Sequence, residues 1–257
     1  MTPAVPLALA AASVGAFGAI IGSFLNVVVH RLPRGESLVV PPSHCPSCQS
    51  EIAAYDNVPI LSWVALRGRC RRCQASISIR YPAVELITAL TFVAVVVVRG
   101  FDADLLIELP FAAILLAVAG IDLKHKIVPN RIVAPAALYG LGASALVRPG
   151  ELPELLLAGG GAFLVLLLAA LARPGGMGMG DVKLGGVMGL YLGLSVLPAM
   201  LVAFLTGSLV GLAIIVRHGS EGRKRGVPFA PFLALGGVAA LLVGPELLEL
   251  YTRTFLT

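Results

Sequence analysis

Long apolar segments, separated by short polar or basic loops, cover most of the sequence. A helix needs about 20 mainly apolar residues to cross the hydrocarbon core of a bilayer. The pattern predicts an all-α polytopic membrane protein with about eight transmembrane helices, two of them short and separated by only a few residues. The predicted segments are residues 6–29, 83–98, 105–121, 132–147, 152–172, 184–194, 196–216 and 229–248.

The composition supports insertion in a membrane. Hydrophobic residues make up 58% of the 257 positions and charged residues 13%, and the mean hydropathy is +0.93. A soluble domain has fewer apolar and more charged residues. The first apolar segment resembles a signal peptide, but it has no positive residue before it and is longer than a signal core. We therefore expect it to be a membrane span.

The distribution of Lys and Arg predicts the orientation, because basic flanks are retained on the cytoplasmic side. An outside N-terminus and eight spans place sixteen of the nineteen basic residues in inner loops and only Arg99, Arg148 and Arg253 in outer ones. Both termini should then face away from the cytoplasm. The net charge of +5 is explained by these flanks and by anionic lipid headgroups. Nucleic acid is therefore not an expected partner, whereas the lipid bilayer is.

The chain's four cysteines lie in its one sizeable polar segment, residues 30–82. Two C-x2-C pairs, Cys45 with Cys48 and Cys70 with Cys73, are separated by 21 residues. Two such pairs can supply four thiolates to a tetrahedral zinc ion. Disulfides are the alternative, but the predicted topology puts these cysteines in the reducing cytoplasm. We predict a structural zinc, with no open coordination position for catalysis.

Two aspartates stand at the edges of apolar segments. Asp122 closes the segment 105–121, and Asp181 lies between the glycines of Gly178-Met179-Gly180 and the next apolar segment. A carboxylate at the edge of the hydrocarbon layer is costly and is therefore a functional candidate. Asp122 has a simpler alternative, an ion pair with Lys124 or Lys126. The topology places both aspartates at the same membrane face, which favours a site made of two carboxylates.

Two carboxylates held close together can hydrolyse a peptide bond. One must be ionised to take a proton from water, and the other must be protonated to polarise the scissile carbonyl. Two like charges cannot both ionise cheaply at short range, so the pair shares one proton and titrates as a unit. The residues themselves leave open which aspartate plays which part.

Glycines recur at four-residue intervals in two of the predicted helices. Gly18 and Gly22 form one such pair, and Gly185, Gly189 and Gly193 form a longer series. Small residues at this spacing allow two helices to approach closely. We predict a packing role for them.

A few polar residues near or within the apolar segments are weaker candidates. Ser23, Asn26 and His30 share one helix face, which indicates either a polar pocket or hydrogen bonds to neighbouring helices. Glu85 is expected either at a helix start, where a carboxylate complements the helix dipole, or turned toward the helix bundle, and the helix start is favoured. Glu108 is expected to turn toward the helix bundle.

Short motifs spread over nearly the whole chain carry a family resemblance. They are Gly22-Ser23-Phe24-Leu25-Asn26-Val27, His30-Arg31-Leu32-Pro33, the four cysteines, Asn57-Val58-Pro59, Ser62-Trp63, Ile77-Ser78, Arg80-Tyr81-Pro82 with Glu85, Ile121-Asp122 with Pro129, Gly178-Met179-Gly180-Asp181-Val182-Lys183, and Pro228-Phe229 with Pro231-Phe232. In this order they resemble the bacterial prepilin peptidases, or type IV leader peptidases, which are membrane aspartic proteases with a Gly-x-Gly-Asp signature.

The resemblance implies that Asp122 and Asp181 are the catalytic pair and that prepilins and type II secretion pseudopilins are the substrates. It implies that the cysteine segment is the cytoplasmic module of members that also methylate the new N-terminus, with S-adenosyl-L-methionine as methyl donor. No Gly-x-Gly-x-x-Gly fingerprint is present, so no residue is assigned to the donor. Two positions depart from the family pattern: Asn130 replaces an acid, and Ala230 replaces a glycine.

The predicted organisation follows from these points. Residues 1–29 form the first transmembrane helix, residues 30–82 the cytoplasmic zinc domain, and residues 83–257 the transmembrane peptidase domain. The protein is expected in the bacterial inner membrane, multi-pass, with its active site facing the cytoplasm. The alternatives are a proton-coupled membrane transporter and a non-enzymatic pilus assembly protein.

Overall fold

A computed structural model of the chain describes residues 7–173, 176–219 and 226–255, most of which are helical. The chain divides into two compact units, Met1–Phe101 and Asp102–Thr257. Four 3-10 turns, Leu32–Arg34, Ala54–Asn57, Pro149–Glu151 and Gly193–Ser195, join the α-helices of the described residues.

The first unit consists of two long helices and the cysteine segment between them. Its helices are α1 (Leu7–Arg31), the short α2 (Leu61–Ala65) and α3 (Arg80–Arg99). A Cβ placed on Gly18 would lie 2.9 Å from the Cα of Ala89, and one on Gly22 would lie 2.6 Å from the Cα of Glu85. Only glycine allows α1 to approach the backbone of α3 this closely, so the predicted packing role of Gly18 and Gly22 is confirmed.

The described residues of the second unit form six long helices. They are α4 (Leu105–His125), α5 (Asn130–Val147), α6 (Leu152–Ala172), α7 (Met179–Leu192), α8 (Val196–His218) and α9 (Ala230–Phe255). Helix α7 packs along α6, α8 packs along α9, and α9 also contacts α4 and α7.

Glycine contacts and one tyrosine hold the second unit together. A Cβ on Gly189 of α7 would lie 2.6 Å from the backbone of both Ala158 and Gly159 in α6. The ring of Tyr191 stacks on Phe111 of α4 with centroids 4.5 Å apart. The Tyr191 hydroxyl also donates to the carbonyl oxygen of Ala136 in α5 at 2.7 Å. Helix α7 therefore lies at the centre of this unit.

The eight long helices match the eight predicted segments in order, and the prediction of an all-α polytopic membrane protein is confirmed. By length and apolar composition, six segments of the described residues are able to cross a membrane. The predicted pair 184–194 and 196–216 falls in one continuous apolar segment, Met179–His218, of 40 residues. Helix α7 begins five residues earlier than predicted, because the N–H groups of Asp181 and Val182 already bond to the carbonyl oxygen of Gly178.

Replacement of Gly189 by alanine tests the close packing of α6 and α7. We expect Gly189→Ala to lower the free energy of unfolding by about 1–3 kcal/mol, because the added methyl group meets backbone atoms that cannot move aside cheaply. Thermal unfolding in detergent measures the change. Gly161→Ala is the matched control on α6, since a Cβ there would have no atom within 4 Å. Equal losses in the two variants would contradict this packing.

Candidate active site and cysteine cluster

The two predicted catalytic aspartates lie on neighbouring helices of the second unit. Asp122 is in the last turn of α4 and Asp181 is in the first turn of α7. Both side chains are buried, with 5% and 9% of their surfaces exposed. They are close enough for the charge of Asp122 to act on Asp181. The structure therefore brings together two acids that are 59 positions apart in the sequence.

Asp122 is held by the start of α9. Its Oδ2 accepts a hydrogen bond from the backbone N–H of Ala230 at 3.0 Å. Ala230 is the first residue of α9, where the N–H groups have no partner inside the helix. Lys126, which the sequence offered as an ion-pair partner, donates its Nζ to the carbonyl oxygen of Gly226 at 3.0 Å. The Asp122 carboxylate thus connects the end of α4 with the beginning of α9.

The Asp181 carboxylate lies close to Gly178, the residue before its own helix. Gly178 has an extended conformation there. A Cβ on Gly178 would lie 3.2 Å from Asp181 Oδ2, so a larger residue would crowd this contact. Asp181 Oδ1 is buried and has no hydrogen-bond partner among the residues that the structure describes. One oxygen of this carboxylate is therefore available to a water molecule or a substrate.

The second glycine of the Gly-x-Gly-Asp motif sets the distance between α4 and α7. A Cβ on Gly180 would lie 2.6 Å from the Cβ of Val128, in the loop that follows α4. Any side chain at position 180 would push this loop away and move Asp122 from Asp181. The two glycines thus have separate roles, one for the carboxylate and one for helix approach.

Lys183 and Asn130 form a polar contact beside the acid pair. Lys183 Nζ donates to Asn130 Oδ1 at 3.0 Å, which joins α7 to the beginning of α5. Asn130 is the position at which the family pattern has an acid. In this chain the lysine therefore binds a neutral amide.

The four cysteines form one cluster. Their sulfur atoms all lie within 4.8 Å of one another, and Cys45 Sγ is 3.7 Å from Cys73 Sγ. Metal–sulfur bonds of about 2.3 Å in a tetrahedron place the sulfurs about 3.8 Å apart. All four thiols are free, so the structure does not show the alternative of two disulfides. The cluster can hold one metal ion.

The two C-x2-C pairs have the same local fold. The N–H of Cys45 bonds to the carbonyl oxygen of Ser50 at 2.9 Å, and the N–H of Cys70 bonds to that of Ala75 at 2.9 Å. The residue after each second cysteine reverses the chain with a positive φ, 58° at Gln49 and 61° at Gln74. Each tight turn aims its two sulfurs at the same point.

The thiol chemistry of the cluster fits a bound cation. Hydrogen bonds from the Ser50 side chain and backbone lower the pKa of Cys48 to about 6, and backbone N–H groups of Cys73 and Arg72 lower the pKa of Cys70. The Ala75 N–H favours a Cys73 thiolate, yet desolvation and the neighbouring sulfurs raise the pKa of Cys73 to about 12. Four thiolates this close need a positive charge between them.

Glu85 has a different role from the predicted one. It lies in the second turn of α3 instead of the first, and it is 8% exposed. Its Oε2 accepts the backbone N–H of Ile60 at 2.7 Å. The prediction that Glu85 complements a helix dipole at the start of α3 is therefore wrong. The sequence could not show this contact, because its donor is a backbone group 25 residues away.

The segment that Glu85 holds is strained. Ile60 has φ 61° and ψ −53°, and the N–H of Leu61 bonds to the carbonyl oxygen of Pro59 at 2.6 Å. This is a γ-turn of the rare, strained form, and a β-branched residue with positive φ is unusual. Nearby, Asn26 Nδ2 donates to the carbonyl oxygen of Tyr81 at 3.1 Å, so the predicted polar face of α1 includes a hydrogen bond to α3.

Loss of the Glu85 carboxylate should release this turn. We expect Glu85→Ala to cost about 1–3 kcal/mol of local stability, because the buried N–H of Ile60 loses its acceptor. Tryptic cleavage of the folded protein at Arg67 or Arg69 should become faster. Glu85→Gln keeps an acceptor oxygen and should be cut more slowly than Glu85→Ala. Identical cleavage rates in the wild type and both variants would contradict this role.

The comparisons with known proteins agree with the sequence resemblance. Residues 16–99 match the bacterial peptidase A24 N-terminal domain, and residues 109–216 match the type IV leader peptidase family. No solved structure matches the chain.

Curated relatives match the chain over nearly its whole length and carry the name prepilin leader peptidase/N-methyltransferase. One from Aeromonas hydrophila is 36% identical, over 93% of this chain and 93% of the relative. One from Bacillus subtilis strain 168 is 35% identical, over 92% of this chain and 96% of the relative. One from Pseudomonas aeruginosa PAO1 is 35% identical, over 93% of this chain and 91% of the relative.

Proposed function

This chain belongs to the type IV leader peptidase family, and from that membership we propose that Asp122 and Asp181 are the catalytic residues of a membrane aspartic endopeptidase. The observation that carries the proposal is that these two buried carboxylates lie on the neighbouring helices α4 and α7, close enough for their charges to interact. The enzyme removes the basic leader of prepilins and pseudopilins and methylates the new N-terminus. The family membership does not favour a transporter or a non-enzymatic assembly protein.

The acid pair supplies both halves of the hydrolysis. The ionised aspartate takes a proton from water as the water oxygen attacks the scissile carbonyl carbon, while the protonated aspartate donates a hydrogen bond to the carbonyl oxygen. The tetrahedral intermediate then breaks its C–N bond, and the amine leaves with a proton from the pair. The backbone N–H of Ala230 orients Asp122 before substrate binds, which lowers the cost of reaching the transition state.

The substrate class follows from the relatives' name and from the position of the acids. The basic residues in the neighbouring loops support a position of the end of α4 and the beginning of α7 at the cytoplasmic face of the inner membrane. A substrate with a basic leader and an apolar helix has its junction at that level. The peptide bond at the junction is therefore the one that the acids can reach.

We propose zinc as the metal of the cysteine cluster. Cys45, Cys48, Cys70 and Cys73 would hold it, and four soft sulfur ligands in a tetrahedral arrangement suit zinc. Four protein ligands leave no open position, so the ion is structural. The segment from residue 32 to 79 has few buried side chains, and a small unit of this kind needs a metal to stay folded.

The methyltransferase activity rests on the relatives' name. It requires S-adenosyl-L-methionine as the donor of the methyl group, which passes from the donor's sulfonium to the amine that cleavage releases. We assign no residue to the donor.

Replacement of either aspartate by asparagine tests the peptidase assignment. We expect Asp122→Asn and Asp181→Asn each to lower the rate of cleavage of a prepilin by about 10²–10⁴-fold or more, because proton transfer is lost. Cleavage in proteoliposomes, with each variant checked for normal thermal unfolding, is the measurement. Glu108→Gln is the matched control, since Glu108 is a buried acid in the first turn of α4 and should leave cleavage intact. Normal cleavage by either aspartate variant would remove that residue from the mechanism.

Metal analysis of the purified protein tests the zinc assignment. We expect about one zinc ion per chain by mass spectrometry, and loss of it in Cys48→Ser and Cys73→Ser, because three thiolates bind zinc less tightly than four. His44→Ala is the control next to Cys45. Its ring Nδ1 lies 3.2 Å from the carbonyl oxygen of Pro42, so zinc should remain. A metal-free wild type, or full zinc in both cysteine variants, would refute the assignment.

A further inference from the structure

The short helix α2 of the first unit exposes apolar side chains on one face. Leu61 and Val64 are three positions apart, so they lie side by side on the helix surface, and they are 68% and 60% exposed. Trp63 lies on the opposite face, where its ring Nε1 donates to the carbonyl oxygen of Ile77 at 3.1 Å. Helix α2 is therefore amphipathic in an unusual sense: its packed face holds a tryptophan, and its exposed face is also apolar.

A buried contact fixes the level of α2 along the membrane-spanning helix α3. Glu85 lies five positions after Arg80, the first residue of α3, which is a rise of about 7.5 Å. Its Oε2 accepts the N–H of Ile60, the residue directly before α2, at 2.7 Å. The segment Arg80–Arg99 is one of those able to cross a membrane. Helix α2 therefore lies beside the first turns of a membrane span.

The polar segment that contains α2 is basic. Residues 30–82 contain seven arginines and three acidic residues, a net charge of +4 with histidine neutral. Arg71 is paired with Asp56 at 2.6 Å. The exposed arginines that form no ion pair with any residue that the structure describes are Arg67, Arg69, Arg72 and Arg80. Arginines near a membrane surface are attracted to anionic lipid headgroups.

Arg67 extends the exposed face of α2. Its backbone N–H bonds to the carbonyl oxygen of Val64 at 3.0 Å, so the chain makes one more turn after the helix. The order along this face is Leu61, Val64 and then Arg67, which is apolar first and cationic at the end. A planar guanidinium group can donate two parallel hydrogen bonds to a phosphate.

We propose that α2 lies in the membrane surface at which α3 begins, with Leu61 and Val64 at the boundary of headgroups and acyl chains and Arg67 on the phosphate of an anionic lipid. An apolar helix face flanked by arginines is typical of helices that lie in this interface. The contact between Glu85 and Ile60 holds α2 at the level where that boundary begins, so lipid reaches the exposed face before a soluble partner does. The inference goes beyond the proposed function and does not depend on it.

The fluorescence of Trp63 measures the position of α2 directly, because this is the only tryptophan of the chain. The full-length protein is reconstituted in vesicles of phosphatidylethanolamine and phosphatidylglycerol. The lipids carry bromine, a short-range quencher, either near the headgroup end or at the far end of the acyl chain. We expect the first kind to lower the emission by about twofold and the second kind to lower it less, because the helix lies at the boundary. Unchanged emission with both kinds would overturn the proposal.

A pair of double variants tests the apolar face. Leu61→Gln with Val64→Gln should reduce the quenching, because glutamine favours water over the acyl boundary. Val39→Gln with Val40→Gln is the matched control, since these are also exposed apolar residues of the same polar segment but lie outside α2. Thermal unfolding in detergent checks that both double variants are folded. Equal quenching in the wild type and the α2 variant would contradict the insertion of this face.

A second pair of variants tests the lipid headgroup. When only one lipid of the mixture is brominated, at equal amounts, brominated phosphatidylglycerol should quench Trp63 more than brominated phosphatidylethanolamine, because Arg67 binds an anionic lipid. Arg67→Gln should weaken this preference. Arg71→Gln removes the same charge from an arginine already paired with Asp56 and should keep the preference. Equal quenching by the two lipids in the wild type would refute the binding of an anionic lipid.

None of these measurements depends on cleavage. Inactive wild-type protein would remove the peptidase assignment and leave the quenching result intact. Active protein with an unquenched Trp63 would remove only the proposal for α2.

Discussion

The structure depends on backbone N–H groups that hold buried carboxylates. Two of the buried acids accept an N–H from the start of a helix: Glu85 from Ile60 before α2, and Asp122 from Ala230 in α9. A carboxylate removed from water needs donors, and the first N–H groups of a helix need acceptors. Each of the two contacts satisfies both requirements and joins two distant parts of the chain.

Three helices position the acid pair. Helix α4 supplies Asp122, α7 supplies Asp181, and α9 supplies the donor that orients Asp122. The approach of Gly180 to Val128 then sets how near α4 and α7 come. A change in the packing of any of the three helices moves a carboxylate. For this reason the site is sensitive to residues that do not themselves react, such as Gly178, Gly180 and Ala230.

The first unit shows a similar dependence on a few contacts. Between α1 and α3 the chain has little apolar core, and two tight turns aim four sulfurs at one point. A metal ion bound by these sulfurs would replace a hydrophobic core as the main source of stability. Glu85 connects this segment to α3 through Ile60, whose strained turn would relax if it were not held. The four-cysteine cluster and one buried carboxylate thus connect a polar segment to the apolar helices of this unit.

The sequence by itself determined the helices, the cysteines that form one cluster and the two buried aspartates. The length of the apolar segments predicts membrane-spanning helices, because the hydrocarbon core of a bilayer excludes most other structures. The C-x2-C spacing predicts a four-sulfur site, because each turn presents two thiols. A carboxylate at the end of an apolar segment is costly to bury and therefore indicates a functional residue. Only the tertiary structure decided that Ala230 orients Asp122, that Glu85 holds Ile60 and that Gly180 lets α7 approach the loop after α4. The reason is physical. These contacts use backbone donors and the space left by glycines, and neither is visible until the packing of the helices is known.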